Sequence, residues 1–351
     1  MDTGKESGCS CRQAPTGSCG CSQPVSPLTV FITTSTIGTA DRFDHFLARI
    51  GVNRMGHTVP PGLYRLGAPG PESPVFASAN YRLSFDALRE GLSGTASYIL
   101  VLDTKGVNVW CAAGKGTFGT DELVRSIGST GLAGVVGHRK IIVPQLGAPG
   151  ISWPDVIRRT GFTVEYGPVR ARDLPEYLRT HTATPAMRRV EFPLRDRLVL
   201  TPVEVRSVAL PAAVAAAALF FLAGPVAAGA AVAAVLAGTV LFPALLPVIP
   251  TRDFSTRGLI VGALVAAPFA VAFASAARPG WPEILAGLAP LLLMPAVTAY
   301  LALNFTGSTT FTSRTGVKKE IFRYVPVMAA MAGAGVLAGI VLGVSRLLGV
   351  I

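Results

Sequence analysis

From residue 206 onward the chain is a succession of apolar runs with almost no loop between them. Runs at about 207–224, 226–249, 258–277, 284–305 and 325–345 each reach the roughly 20 residues that a bilayer-crossing helix needs. Gly224-Pro225 divides the first two, whose combined length is too great for a single span. Hydrocarbon tolerates only helices or closed barrels, because every backbone polar group must be satisfied internally. Residues 206–351 therefore predict an all-α transmembrane domain of five helices. Charge divides the chain at the same place. Residues 206–351 carry nine Lys/Arg and three Asp/Glu, whereas residues 1–205 carry 22 and 17. A soluble domain followed by a membrane domain is expected, which excludes a wholly soluble enzyme and a secreted disulfide scaffold.

The loop charges orient the spans. Arg206, Arg252, Arg257, Arg314, Lys318, Lys319 and Arg323 fall on one side, and only Arg278 and Arg346 on the other. The positive-inside rule places the first side, and the soluble domain with it, in the cytoplasm. The expectation is a multi-pass protein of a bacterial or archaeal cytoplasmic (inner) membrane, in contact with membrane lipid. Its net charge of +11 reflects topology rather than a phosphate-binding face, so no nucleic-acid partner is expected. Met1–Pro27 is polar and has no apolar core of a signal peptide. No span carries Asp, Glu, Lys or His near its centre. Pumps and proton-coupled transporters usually need such groups, so this half reads as an anchor and packing platform. Gly258-x3-Gly262 and Gly335-x3-Gly339-x3-Gly343 put small residues on one helix face, for packing within the bundle or against a second copy.

The preceding half divides into a disordered Cys-rich tail (1–27), a folded domain (28–185) and a basic linker (186–205) with Arg188, Arg189, Arg195 and Arg197. Strands are expected at 28–34, 75–79, 98–103, 140–144 and 162–166. Helices are expected at 41–50, 84–92, 119–127, 153–160 and 173–179. Apolar strands alternating with amphipathic helices predict a mostly parallel α/β sheet covered on both faces. Ligands in such sheets sit beyond the C-terminal strand ends. Three segments fall there: Ser78–Tyr81, Asp103–Thr117 and Pro144–Gly150. Their small residues and backbone amides suit a large, flat, polar-edged ligand.

Cys111 is the one cysteine of the folded domain. An intracellular cysteine in isolation is most often a small buried hydrophobe. A nucleophilic one needs a base; Lys115 is four residues on and His138 is the nearest histidine in sequence. No Cys/His pair has zinc spacing. The residues by themselves define a candidate reactive or metal-ligating thiol in an α/β ligand site.

The segment Asn108-Val109-Trp110-Cys111-Ala112-Ala113-Gly114-Lys115 resembles the signature of the mercury-methylation corrinoid proteins (the HgcA family). Pro74–Leu83 and Pro144–Ile151 look like that family too, as does a corrinoid domain followed by five spans. A more distant resemblance is to the large subunit of the corrinoid iron–sulfur protein of acetyl-CoA synthesis. The resemblance implies an α/β Rossmann-like corrinoid-binding domain holding base-off cobalamin, with the Cys111 thiolate on a cap helix as lower axial ligand of cobalt. The usual Asp-x-His-x-x-Gly signature of a histidine ligand is absent. A thiolate is the stronger donor, and axial ligands set the electronics of the metal. The implied function is corrinoid-dependent methyl transfer to thiolate-bound Hg(II), forming methylmercury. The implied partners are a methylated-folate methyltransferase and a two-cluster [4Fe-4S] ferredoxin. Asn108, Trp110 and Lys115 would shape the cap. Trp110 would pack beneath it, and Lys115 would either offset the thiolate charge or stand in solvent. Ser78, Asn80, Tyr81, Gln145, Gly147 and Gly150 would contact the corrin edge.

The tail departs from the corrinoid iron–sulfur pattern: Cys9-x-Cys11 and Cys19-x-Cys21 are spaced differently from a cluster motif. They are candidate ligands for Hg(II) or another soft metal, for zinc, or for nothing. Two other functions compete. One is a methyl carrier for acetyl-CoA-type one-carbon metabolism; the lack of an iron–sulfur domain and the five spans argue against it. The other is a membrane metal-binding or transport protein with a Cys-rich tail.

Overall fold

The computed structural model describes residues 29–275, 280–309 and 313–351. Cys9, Cys11, Cys19, Cys21 and Arg278 lie outside the described residues, and with them the expectations placed on them. The soluble part runs β1 (Val30–Thr33), α1 (Thr39–Arg49), β2 (Gly62–Leu66), β3 (Val75–Ala79), α2 (Arg82–Gly91), β4 (Ser97–Leu102), α3 (Val109–Lys115), α4 (Thr120–Ser129), α5 (Leu132–Val135), β5 (Lys140–Val143), α6 (Trp153–Thr160), β6 (Thr163–Tyr166) and α7 (Leu174–Thr180). The six strands form one sheet in the order β1-β2-β4-β3-β5-β6.

Every residue of β3 and β4 is buried. Helices cover both faces there, so the strands read as apolar runs without alternation. One face packs Val75, Ala77, Leu100 and Leu102 against Val109 of α3, Leu123 and Ile127 of α4, and Val156 of α6. The other packs Phe76, Ile99 and Val101 against Phe85 of α2 and Leu174 and Tyr177 of α7.

The sheet differs from the expected one at its edge. β2, absent from the sequence reading, pairs antiparallel with β4, and β1 follows β2 in parallel. The sheet is therefore mixed. β4, β3, β5 and β6 are parallel and form the part that carries the expected ligand rim.

α1 is tied to α2 by a polar cluster. The Asp86 carboxylate, fully buried, accepts from Arg89 Nε at 2.6 Å and lies 2.7 Å from His45 Nε2. Arg89 also donates to Asp41 at 2.8 Å and to the Thr34 and Thr36 carbonyls. His57 is buried with Nδ1 2.8 Å from Asp44 and Nε2 2.6 Å from the Val52 carbonyl. Both neighbours are acceptors, so the imidazolium with two N–H donors suits the site. Burial works against that charge, but the Val52 carbonyl and the Asp44 carboxylate outweigh it and raise the His57 pKa.

The second part runs α8 (Leu194–Leu198), α9 (Thr201–Ala223), α10 (Pro225–Leu236), a π turn (Ala237–Leu241), α11 (Phe242–Leu245), α12 (Phe254–Ala274), α13 (Trp281–Asn304) and α14 (Arg314–Leu347). Among the described residues five helical segments are long and apolar enough to cross a membrane: Leu194–Ala223, Pro225–Leu245, Phe254–Ala274, Trp281–Ser308 and Thr315–Leu347. Each overlaps one of the expected spans, and the last two contain theirs whole. α13 is the most buried and lies against α12 and α14. A Cβ on Gly258 would lie 2.6 Å from Ala299 Cα, and one on Gly262 2.5 Å from Pro295 Cα. These two glycines let α12 and α13 touch backbone to backbone. A Cβ on Gly339 or Gly343 meets nothing within 4 Å.

The linker is bonded at both ends. Met187 is buried and its carbonyl accepts from Val169 N at 2.8 Å. Arg188 donates to Gln145 Oε1 at 2.6 Å, and Arg170 pairs with Asp196 at 3.3 Å. Arg197, buried, donates to the Pro243 and Ala244 carbonyls, and Glu204 accepts from Ser308 at 2.7 Å.

Candidate functional site

β3, β4 and β5 are sheet neighbours. The segments after them therefore meet on one rim, where ligands bind in open α/β sheets. The rim is built around α3. Asn108 is its N-cap: Asn108 Oδ1 accepts from Cys111 N at 2.9 Å. Gly116, at φ 85°, closes it in the left-handed conformation. A polar cap at one end and an αL glycine at the other satisfy the end groups of a helix of two turns. Val109, Ala112 and Ala113 point into the core, while Trp110 and Cys111 are half-buried and Gly114 and Lys115 exposed. The cap fixes the Cys111 backbone and leaves its thiol on the outer face.

Asn80 holds the loop before α3. Its Oδ1 accepts from Thr104 N (3.1 Å), Thr104 Oγ1 (2.8 Å) and Gly106 N (3.0 Å), and its Nδ2 donates to Asp103 at 3.4 Å. Asn80, Thr104 and Gly106 are all buried. Asn80 thus spends its side chain on the protein rather than on a rim surface. Ser78 is likewise buried and donates to the Ala79 carbonyl at 3.2 Å. The Lys105 ammonium beside Asp103 holds that carboxyl below its ordinary pKa. Tyr81, half-buried, has its hydroxyl pKa pushed up by burial; Arg54 and Arg49 oppose this, and Asp44 and Cys111 add to it.

The third segment is a 3-10 turn, Gln145–Gly150. Its glycines serve close packing. A Cβ on Gly150 would lie 2.2 Å from the Phe118 carbonyl oxygen and 3.1 Å from Ala113 Cα. One on Gly147 would lie 2.4 Å from the Phe118 ring. The turn is pressed onto α3. Gln145 is engaged by Arg188 of the linker.

Of the expected site residues, Trp110, Cys111, Gly114 and Lys115 line one cleft of about 700 Å³ including its open mouth, with Pro149 beside them. The other expected residues stand behind or beside this cleft. Sequence reasoning missed Thr104 and Phe118, whose roles emerge only from contacts between segments. It also missed the remainder of the cleft: Thr306, Gly307, Thr309, Ser313 and Val317.

The donor set is a single thiol. Among the described residues no three His, Cys, Asp or Glu side chains gather into a metal site. One soft donor at an open cleft suits a metal whose other positions are filled by a macrocycle, and does not suit a protein-caged zinc. The thiol, the apolar Trp110 and Pro149, and the open face of Gly114 fit a corrinoid on those grounds.

Residues 53–177, which include α3 and all three rim segments, match the family model of the CO dehydrogenase/acetyl-CoA synthase delta subunit. The acetyl-CoA decarbonylase/synthase complex subunit gamma of Methanopyrus kandleri is 32% identical over 122 residues, 34% of this chain and 26% of that protein. Its counterpart in Methanocaldococcus jannaschii is 31% identical over 130 residues, 36% of this chain and 26% of that one. The corrinoid/iron-sulfur protein large subunit of Moorella thermoacetica is 27% identical over 124 residues, 35% of this chain and 27% of that protein. The chain spans about a quarter of the length of these curated relatives. The sheet domain is thus similar to subunits of acetyl-CoA decarbonylase/synthase complexes and to a corrinoid/iron-sulfur protein, and the five-helix half lies outside the matched segment.

Proposed function

We propose that this chain is a membrane-anchored corrinoid protein of one-carbon metabolism, with the Cys111 thiolate as lower axial ligand of cobalt. The observation that carries it is the outward-facing thiol of Cys111. It is fixed by the Asn108 cap at the C-terminal rim of the sheet, within the segment similar in sequence to a corrinoid/iron-sulfur protein large subunit. A corrinoid held there would supply a cobalt that carries a methyl group, and the Cys111 thiolate would donate electron density to that metal. The chain's own residues position that donor: Asn108 and Gly150 hold α3, Asn80 holds the loop before it, and Trp110 and Pro149 offer apolar surface to the ring. Lys115 stands at the cleft with its charge exposed.

Two acceptors have support. The relatives favour a methyl carrier for acetyl-CoA-type metabolism. The Asn108–Lys115 segment and its thiolate donor favour electrophilic Hg(II), with a methylated-folate methyltransferase as supplier and a two-cluster ferredoxin as reductant. On either reading the soluble half faces the cytoplasm, where thiols stay reduced. The test uses full-length protein purified in detergent and reconstituted with hydroxocobalamin. The wild type should give a visible spectrum of thiolate-ligated cobalt, and Cys111→Ala should lose it. An unchanged spectrum in Cys111→Ala would refute the axial-ligand assignment. Methyl-loaded protein offered Hg(II) or acetyl-CoA synthase then separates the two acceptors.

A further inference from the structure

The cleft that Cys111 faces is closed by the membrane half. Its second wall is Thr306, Gly307 and Thr309 after α13, and Ser313 and Val317 where α14 begins. The residues around these are held by contacts of their own. Phe305, 1% exposed, packs against Phe242 with ring centroids 6.0 Å apart. Thr306 Oγ1 donates to the Leu303 carbonyl at 2.6 Å, and Ser308 donates to Glu204 at the start of α9. Ser313 caps α14 by accepting from Gly316 N at 3.1 Å. The first turns of α14 are pinned to α12, because Glu320 accepts from Ser255 N and Oγ at 3.1 Å, and Tyr324 donates to Asp253 at 2.7 Å. The cleft is therefore apolar at Trp110, Pro149 and Val317, with the small residue Gly307 on the facing wall. That pattern suits the apolar face of a large ring.

We propose that residues 306–309 and the first turn of α14 form the second half of the ligand site, so that the ring taken up at Cys111 is held between the soluble and membrane domains. This rests on the corrinoid reading of Cys111 and extends it: the membrane domain is part of the binding site, beyond its role as anchor. Gly307 tests it cleanly, since a Cβ there meets nothing within 4 Å and a larger side chain fills the cleft without displacing the backbone. Full-length Gly307→Trp, titrated with hydroxocobalamin in equilibrium dialysis, should bind at least tenfold more weakly than wild type. Gly339→Trp, also in open space, lies 22 residues beyond Val317 on α14, about 33 Å along the helix, and should bind like wild type. A corrinoid-free arm uses protein whose N-terminal cysteines are replaced by serine. A short bismaleimide should join Cys111 to Gly307→Cys and not to Gly339→Cys. Wild-type affinity in Gly307→Trp, or no crosslink from Gly307→Cys, would overturn the inference. Failure of the wild type itself to bind hydroxocobalamin would overturn the corrinoid reading and the ligand assignment with it, while the crosslink separately decides whether the shared wall stands.

Discussion

Asn80→Ala removes the acceptor that organises the loop before α3. Three donors share Asn80 Oδ1: Thr104 N, Thr104 Oγ1 and Gly106 N, at 3.1, 2.8 and 3.0 Å. The hydroxyl has a single proton and two acceptors in reach, so in the variant it donates to the Val107 carbonyl at 2.7 Å. The two amides lose the side-chain partner that holds them. A buried donor left unsatisfied costs about 1–3 kcal/mol, so the pair costs about 2–6 kcal/mol. With water entering the space left by the side chain, the lower half of that range applies, about 3 kcal/mol. At 1.4 kcal/mol per tenfold, this loosens the loop by about a hundredfold. Hydrogen exchange followed by mass spectrometry on the full chain reads it directly. The Thr104 and Gly106 amides should exchange about two orders of magnitude faster in the variant, and alkylation of Cys111 should accelerate with them. Asn80→Asp keeps the acceptor but loses the Nδ2 donation to Asp103 and sets two carboxylates together, so an intermediate effect is expected. Unchanged exchange at residues 103–108 in Asn80→Ala would refute the assignment of Asn80 to the scaffold and return it to the ligand.

Gly150→Val should lower the melting temperature and corrinoid affinity together, because its Cβ would meet the Phe118 carbonyl at 2.2 Å. Overpacking of that kind costs about 1–3 kcal/mol, and a variant that melts like wild type would show that the turn moves freely off α3. Stability of the soluble half should depend on His57. Its folded pKa lies above the ordinary 6.5, so its contribution is complete below pH 6.5 and is lost as pH rises through the folded value. His57→Gln should flatten the stability–pH curve above 6.5, and a slope identical to wild type would sink that assignment.

The sequence made the framework readable where burial is complete. β3 and β4 stand out because both faces are covered, and the five apolar segments because nothing else sustains such runs. β2 was not legible. Gly62–Leu66 lies between Pro60-Pro61 and Gly67, too short to show a period, and its antiparallel pairing with β4 is a tertiary choice. α3 has only seven residues, several of them Ala or Gly, so it shows no stripe. Its cap signals were present in Asn108 and Gly116. Cys111 was singled out through its neighbours and Asn80 and Gly150 as ligand contacts, while the hydrogen bonds of Asn80 and the close packing of Gly150 gave no signal in the sequence. The same residue types serve a tight turn and a ligand rim equally well, and only three-dimensional contacts separate the two uses. The far wall of the cleft lies almost two hundred residues away in sequence, where no local pattern points to it.

The linker behaves as a splint rather than a leash. Residues 187–204 are bonded to the sheet domain through Val169, Gln145 and Arg170, and to the bundle through Pro243, Ala244 and Ser308. α9, which begins there, has no fully buried residue and packs along α10. Glu204 at the start of α9 is bonded to Ser308, which adjoins Gly307 and Thr309 of the cleft wall, so the entry to the first long apolar helix and the cleft share one contact.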